Sequence, residues 1–516
     1  MSTGHLSRIR YSNANRILAI TACVSYLLCS SIANSATVVV DTSEDDDSAC
    51  SLRNAVASIN ESSSLGGCSS HDNPYGINDT IVFAPTLIGS EIVVQGEPIE
   101  VSMAMRIDGQ DNDITISGNN ETRIFSCNSV NLFELHDISL RNAQDSGDGG
   151  AIWASFCPLY MSGVEMMNNI SGGDGGAIFA TFSSVHVEGS NISSNTSGGA
   201  GGAIYSQPAR DIQIVNSVIS ENSSSEGAIR ANGNAALLIE HSHISNNDGS
   251  AIWTINVDIS ISNSLIDGNS ASWSGGGIHT FSGSSNESVE VDIAESSFLG
   301  NSAGHHGGAL YTLNRAHIDI RQSTFYGNNA AMSGGAVYIR DASSLNVQNS
   351  TFSSNSTQSE SFAGGGAIHA VNLLTQVELT HVTMFNNRSN EGGAISIDDV
   401  AQVRLSNSII ARSQDGADCI SQGGLVVADE FNIIVNDECS TSASNDIPDL
   451  APIGNNGGQT MTHAIRPYSA GWKNGNPQDC LDFDQRGVLR GSQKCDVGSF
   501  EETDIILHDS FRERDF

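Results

Sequence analysis

The sequence predicts an all-β fold: a right-handed, single-stranded parallel β-helix, a solenoid of about 11–12 coils with disulfide-stapled ends. Three observations predict it. A double-glycine phrase, as in "SGGDGGAIFA" from Ser171 to Ala180, recurs at residues 149, 175, 201, 226, 249, 275, 307, 334, 365 and 392, with one glycine replaced in two copies. Between successive copies an Asn recurs, at 169, 195, 222, 247, 269, 301, 328, 355 and 387. Apolar residues stand three, eight and ten positions before that Asn in every copy.

Those offsets define strands. Val185, Val187 and Ile192 precede Asn195, and Ile318, Ile320 and Phe325 precede Asn328. Positions two apart share one face of a strand, so the pattern is strand alternation and not helical periodicity. Each unit holds three short strands, which cannot bury an apolar face alone. Stacking the units in parallel, ~4.8 Å apart, turns the apolar positions into continuous inner columns. Parallel crossovers are almost always right-handed, which sets the hand. A β-propeller needs blades of roughly 40 residues with four strands, and a leucine-rich solenoid needs its Leu pattern; neither fits.

The double glycine marks a corner, because Gly reaches positive φ without a Cβ clash. The recurring Asn suits another corner: it tolerates left-handed geometry, and its amide can bond the Asn above and below. Both features are architectural.

The frame divides the chain into residues 1–36, 37–130, 131–415, 416–501 and 502–516. The first segment carries Arg8, Arg10 and Arg16, an apolar run from Ile17 to Cys29 and then "SSIANSA". It reads as a secretory signal peptide cut between Ala33 and Ala36. Residues 37–130 start the coils, 131–415 are the repeats, 416–501 cap the far end, and 502–516 form a short tail. The expected location is extracellular or the bacterial cell surface, with no integral membrane segment once the signal is removed. The formal net charge is −36. Such a surface repels nucleic acid and anionic lipid.

Of ten cysteines, eight lie beyond the signal: Cys50, Cys68, Cys127, Cys157, Cys419, Cys439, Cys480 and Cys495. An even number in an exported chain implies disulfides. Neighbour pairing, 50–68, 127–157, 419–439 and 480–495, is the simplest connectivity. All lie towards the two ends, where a coil lacks a neighbour to stack on. No spacing matches a zinc site.

In the strand after each double glycine, the residue following the inward Ile, Leu or Val should face out. These are Trp153, Phe179, Tyr205, Arg230, Trp253, His279, Tyr311, Tyr338 and His369, followed by Ser396. Two readings fit such a ladder: a platform for sugar rings, or a stabilising cross-strand stack. Asp148 and Asp174 share one frame a coil apart and suit either a weak calcium site or solvated turns; no cofactor is expected otherwise. "GHHG" at Gly304–Gly307 lies in the variable turn and reads as a chance match to a polygalacturonase motif.

An enzyme acting on uronate polysaccharides needs an Arg or Lys base with acidic residues, or clustered Asp. Residues 145–413 contain no Lys, and their arginines fall in different frames. The expected function is therefore a binding or adhesion module without catalysis, its partners glycans or cell-surface components. The alternative is a pectate-lyase-like or glycoside-hydrolase enzyme using the outer face.

Several segments resemble known families. "ACSLRNAV" at Ala49–Val56, followed by "NDTIVFAP" at Asn78–Pro85, resembles the CSLREA-type opening of exported bacterial β-helix proteins. "DLAPIGNNGGQTMTHAI" at Asp449–Ile465, "DQRGV" at Asp484–Val488 and "CDVGSFE" at Cys495–Glu501 resemble the choice-of-anchor Q domain. The "GGAI" phrases with "FLGN", "FYGN" and "FSSN" are similar to repeats of polymorphic outer-membrane proteins, which are adhesins. The final "ETDIILHDSFRERDF" resembles short sorting tails. These likenesses imply a secreted or surface β-helix protein and name no reaction.

Overall fold

The computed structural model describes residues 35–46, 49–284, 287–359, 364–439, 442–491 and 494–503. The expected signal segment, apart from its last two residues, and nearly all of the expected tail lie outside the described residues.

Three main rows of parallel strands, with a fourth of two-residue strands such as Gln144–Asp145 and Ile170–Ser171, wind as a right-handed β-solenoid of about 13 turns. This exceeds the expected 11–12, because stacking begins before the repeats. Thr37–Val40 pairs with Asp79–Phe83, which pairs with Met105–Asp108, which pairs with Phe133–His136. The glycine-led row includes Ile152–Ser155, Ile178–Thr181 and Ile204–Ser206, each pairing with the next. The second row includes Phe133–His136, Leu159–Ser162 and Val185–Glu188. The third row is a 14-stranded sheet from Glu91–Val93 to Ile433–Ile434.

The apolar offsets fill the interior. Ile152, Ile178, Ile204, Ile229, Ile252 and Ile278 are fully buried, one per coil. Phe298, Phe325 and Phe352 stack inside at 4.9 and 4.7 Å between centroids. Such columns are the main source of stability, because no single coil closes a core.

The recurring Asn forms a buried ladder: Asn169 Nδ2 donates to Asn195 Oδ1 at 2.9 Å, and Asn195 Nδ2 to Asn222 Oδ1 at 2.9 Å. It does not itself take the left-handed conformation expected of it. The residue before it does, as at Asn168, Ser194, Glu221 and Asn246. A second ladder was not legible in the frame: the N–H of Ser190 donates to Ser217 Oγ, and that of Ser217 to Ser242 Oγ, each at 3.1 Å.

The double glycine has two separate causes. Gly175 sits at φ +71°, while a Cβ on Gly176 would lie 2.1 Å from the carbonyl oxygen of Gly202 in the next coil. Where the pair is broken, at Glu226-Gly227 and Gly249-Ser250, the corner relaxes. Unbroken strands then run over Ser223–Glu240 and Asp248–Ser262.

The N-terminal end is closed by an element absent from the repeat reading, a helix over Leu52–Asn60. Ser51 caps it by accepting the N–H of Asn54, and Leu52, Ala55, Val56 and Ile59 face the core at helical spacing. Arg53 ties it to Asp45 and to the carbonyl of Glu97.

The expected 416–501 cap divides into two parts. Cys419–Gln422, Leu425–Val427 and Ile433–Ile434 continue the coils. Residues 449–491 and 494–501 instead fold back along the outer side of the third row. Met461 O accepts from Thr324 Oγ1 at 2.6 Å, Gln485 Oε1 from Thr351 Oγ1 at 2.7 Å, and the Ser499 N–H donates to Thr383 Oγ1 at 2.9 Å. A satellite core of Ile409, Ala411, Ile433, Ile465, Val497 and Phe500 sits between this segment and the row. The outward Thr and Ile of these late coils are satisfied by that cover. All four disulfides follow neighbour pairing: 50–68, 127–157, 419–439 and 480–495.

Candidate functional site

The predicted ladder exists in register. Trp153, Phe179, Tyr205, Arg230, Trp253, His279, Tyr311, Tyr338 and His369 are successive partners on the glycine-led row. They point away from the interior, yet the expected exposure is corrected over much of the row. Arg230, His279, Tyr338 and His369 are each under a tenth exposed, and the other five are half-buried. The turns that lead into the double glycines fold over them. Ser274 O accepts from the His279 ring at 3.0 Å, Glu226 pairs with Arg230, and His306 packs on Tyr338 at 4.4 Å. His306 belongs to the "GHHG" phrase, so that phrase contributes cover for the ladder.

Stacking continues beneath the cover. Trp253 and His279 lie 4.1 Å apart and parallel within 5°, and Tyr311 stacks on Tyr338 at 5.5 Å. Burial pushes His279 and His306 down to about 4, so both rings are neutral at pH 7. These middle coils have the character of a stabilising stack.

An accessible stacked aromatic pair lies at the corner between the glycine-led and second rows, which the sequence reading missed; Trp273, Tyr326, Tyr468 and Phe483 are exposed elsewhere. Phe156 and Phe182 stack there at 4.6 Å and 8°, 54% and 40% exposed. Both adopt left-handed backbone, φ 49° and 52°. The corresponding corners of other coils use Ser129, Asn256, Asp341 and Asp399 at positive φ. Asn, Asp and small residues tolerate that region, whereas a bulky aromatic side chain is disfavoured. The backbone is held there by the next coil: the N–H of Phe156 donates to Thr181 O at 3.0 Å, and that of Phe182 to Pro208 O at 3.1 Å. The signal was present in "ASFC" and "ATFS", where Phe stands four residues after Ile152 and Ile178.

Polar side chains of the second row flank this corner. Tyr160 stacks on His186 at 4.7 Å, with His136 tilted against its other side at 5.5 Å. The Tyr160 hydroxyl donates to Glu188 Oε2 at 2.7 Å. Burial first, and that bond second, push the phenol up to about 12, so it stays protonated at neutral pH. Glu134 lies within 3.1 Å of the His136 ring and accepts from Arg106 at 3.2 Å. The hydrogen bond from His136, opposed by burial, holds its carboxyl below the usual range. The row thus offers donors, acceptors and ring edges suited to hydroxyl recognition.

Asp148 and Asp174 serve the turns. Asp148 Oδ1 accepts the N–H of Asp174 at 2.9 Å, and Asp174 Oδ1 that of Ala200 at 2.8 Å. Among the described residues, two groups have metal-ligand proximity, His381 with Cys480 and Cys495, and Asp437 with Cys419 and Cys439. The cysteines of both are disulfide-bonded, so neither group offers a thiolate. No helix among the described residues is long and apolar enough to cross a membrane.

Residues 159–305 match the family model described as the right handed beta helix region. No curated protein matches the chain. Among solved structures, the crystal structure of pectate lyase Pel9A is similar at 11% identity, with 90% of this chain and 96% of that chain covered. Its TM-score is 0.26, a value at which the two folds are not equated. The family match and the geometry agree on the repeat region: it is a right-handed parallel β-helix.

Proposed function

We propose that the protein is a secreted or cell-surface binding module, an adhesin-like rod that holds carbohydrate without altering it. The observation that carries this reading is the exposed Phe156–Phe182 stack, set in backbone that disfavours such side chains and flanked by the Tyr160, His186 and Glu188 row. A disfavoured conformation retained twice, on consecutive coils, with apolar surface facing water, argues for a ligand. The likeness of the opening and closing segments to exported β-helix proteins supports export. Against catalysis, Tyr160 is held protonated and Glu134 ionised, so this row lacks a tyrosinate base, and Glu134 is not poised as an acid.

A glycan array with the full chain, followed by assays for new reducing ends and unsaturated uronates on every hit, tests this reading. Retention without turnover is expected, with retention weakened by Phe156→Ala plus Phe182→Ala. Turnover of a bound glycan would replace the binding reading with the enzymatic one.

A further inference from the structure

We propose that the ligand is an uncharged pyranose engaged through one ring, stacked on the open face of Phe156 above Ser129. This rests on the carbohydrate-binding reading and narrows it from a chain lying along the aromatic rows to a single ring seated at a step.

The geometry of the rows requires the distinction. Phe156 and Phe182 are parallel within 8°, as are Tyr160 and His186. Rings stacked this way cover one another's faces and present only edges along the rod. A sugar packs its C–H face on an aromatic face, so only a ring at the end of a stack can receive it. Phe156 is such an end. In the preceding coil the same corner holds Ser129, with the same left-handed backbone at φ 58°. The two corners are adjacent: the N–H of Ser129 donates to Ser155 O at 2.9 Å and that of Val130 to Phe156 O at 3.1 Å. The ladder has its step at the same level, where Trp153 is paired with Ser126.

The corner one coil earlier holds Met103, 36% exposed, its N–H bound to Asn60 Oδ1 of the helix at 3.2 Å. Phe156 and Met103 are thus two coil spacings apart, about 10 Å, with only a serine between them. That spacing leaves room for one ring, a slot with the Phe156 face as its roof and the Ser129 hydroxyl beside it. The exposed Asn128, whose Oδ1 accepts from Ser129 Oγ at 3.1 Å, supplies an amide beside it. The cation of the second row in these coils is engaged: Arg106 pairs with Glu134. A carboxylated sugar would meet paired charges and carboxylates, so an uncharged pyranose fits best.

The test is calorimetric binding of neutral oligosaccharides of increasing length, and of oligogalacturonates, to the full chain. Affinity for neutral sugars should level off after the first one or two rings. Ser129→Phe, at a corner whose backbone already matches that of Phe156, should extend the stack, fill the slot and lower affinity by about tenfold or more. Tyr326→Ala, an exposed aromatic side chain on the third row and outside the slot, should change it less than about threefold. Melting curves establish that Ser129→Phe is folded; if it is not, Phe156→Leu must show the same loss. Unchanged affinity in the folded Ser129→Phe variant, affinity that keeps rising with each added ring, or tighter binding of oligogalacturonate overturns this inference while leaving carbohydrate binding standing. Absence of any bound glycan in the unaltered chain overturns both.

Discussion

The side chain of Asn328 donates to Oδ1 of Asn355 at 2.9 Å, and the backbone N–H of Asn328 donates to that same oxygen at 3.0 Å. Asn328 also donates to Phe298 O at 2.9 Å, and its own Oδ1 accepts twice from Asn301. Each Asn therefore satisfies buried groups on both sides. Asn328→Ala leaves the two Asn301 donors without this acceptor and takes one donor from the Phe298 carbonyl, a loss of about 2–4 kcal/mol. Asn328→Asp keeps acceptors, loses the donors and buries a charge, and should cost at least as much. Local hydrogen exchange over Thr324–Tyr326 and the adjacent coils reads the loss. Unchanged protection would show that the ladder is dispensable.

The glycines divide into two predicted classes. A Cβ on Gly176 would lie 2.1 Å from the backbone oxygen of Gly202, which cannot swing aside. Gly176→Ala should therefore separate the two coils locally and destabilise the rod by more than about 3 kcal/mol. Gly189, at φ +55°, has nothing within 4 Å of its added Cβ. Gly189→Ala should cost only the backbone strain, about 1–2 kcal/mol. Equal melting shifts for the two variants would contradict the steric distinction.

The contrast explains what the sequence makes legible. A solenoid repeats its environment, so Ile152 and Ile178, or Asn169 and Asn195, announce their roles by recurring at one offset. The strands and the inner columns were readable for that reason; the staples were readable from the even count of cysteines and their close sequence pairs. Exposure of the ladder was not, because Tyr338 and His279 are covered by turns whose length and sequence vary between coils. The helix at Leu52–Asn60 and the fold-back of residues 449–491 and 494–501 occur once each and have no period to reveal them. Phe156 and Phe182 fall between: they repeat only twice, inside a turn, where periodicity arguments usually give little weight.

The closing segment should be separable from the rod. The Cys480–Cys495 bridge spans 15 positions of sequence, a loop whose closure contributes about 3 kcal/mol in the chain-entropy account. The segment is also fixed by Gln485, whose Nε2 donates to Thr324 Oγ1 at 2.9 Å and to Thr460 Oγ1 at 2.8 Å. Replacing both cysteines by serine should expose residues 449–501 to limited proteolysis while the repeats stay resistant. Cleavage beginning within the repeats would show instead that the segment is required to hold the late coils.

Acid should act in opposite directions on two buried groups, His279 in the rod and Asp496 in the closing segment. Burial lowers His279 to about 4 from an ordinary value of 6.5, so the unfolded chain takes up this proton before the folded one. Stability contributed by the neutral ring is present above pH 6.5 and is lost as pH falls towards 4, up to about 3 kcal/mol. Burial raises Asp496 to about 6 from 3.8, so the folded closing segment holds a proton that the unfolded chain has released. Its contribution therefore grows as pH falls from 6 to 4. Hydrogen exchange compared at pH 6.5 and 4.5, corrected for intrinsic rates, should show Ile278–Phe281 losing more protection than the residues around Asp496, where the Asp496 gain is opposed by His381, which burial holds well below its ordinary value against Gly498 O. His279→Phe should abolish the first change without touching the second. A uniform loss over both regions would mean that acid acts through the overall charge balance and not through these two buried groups.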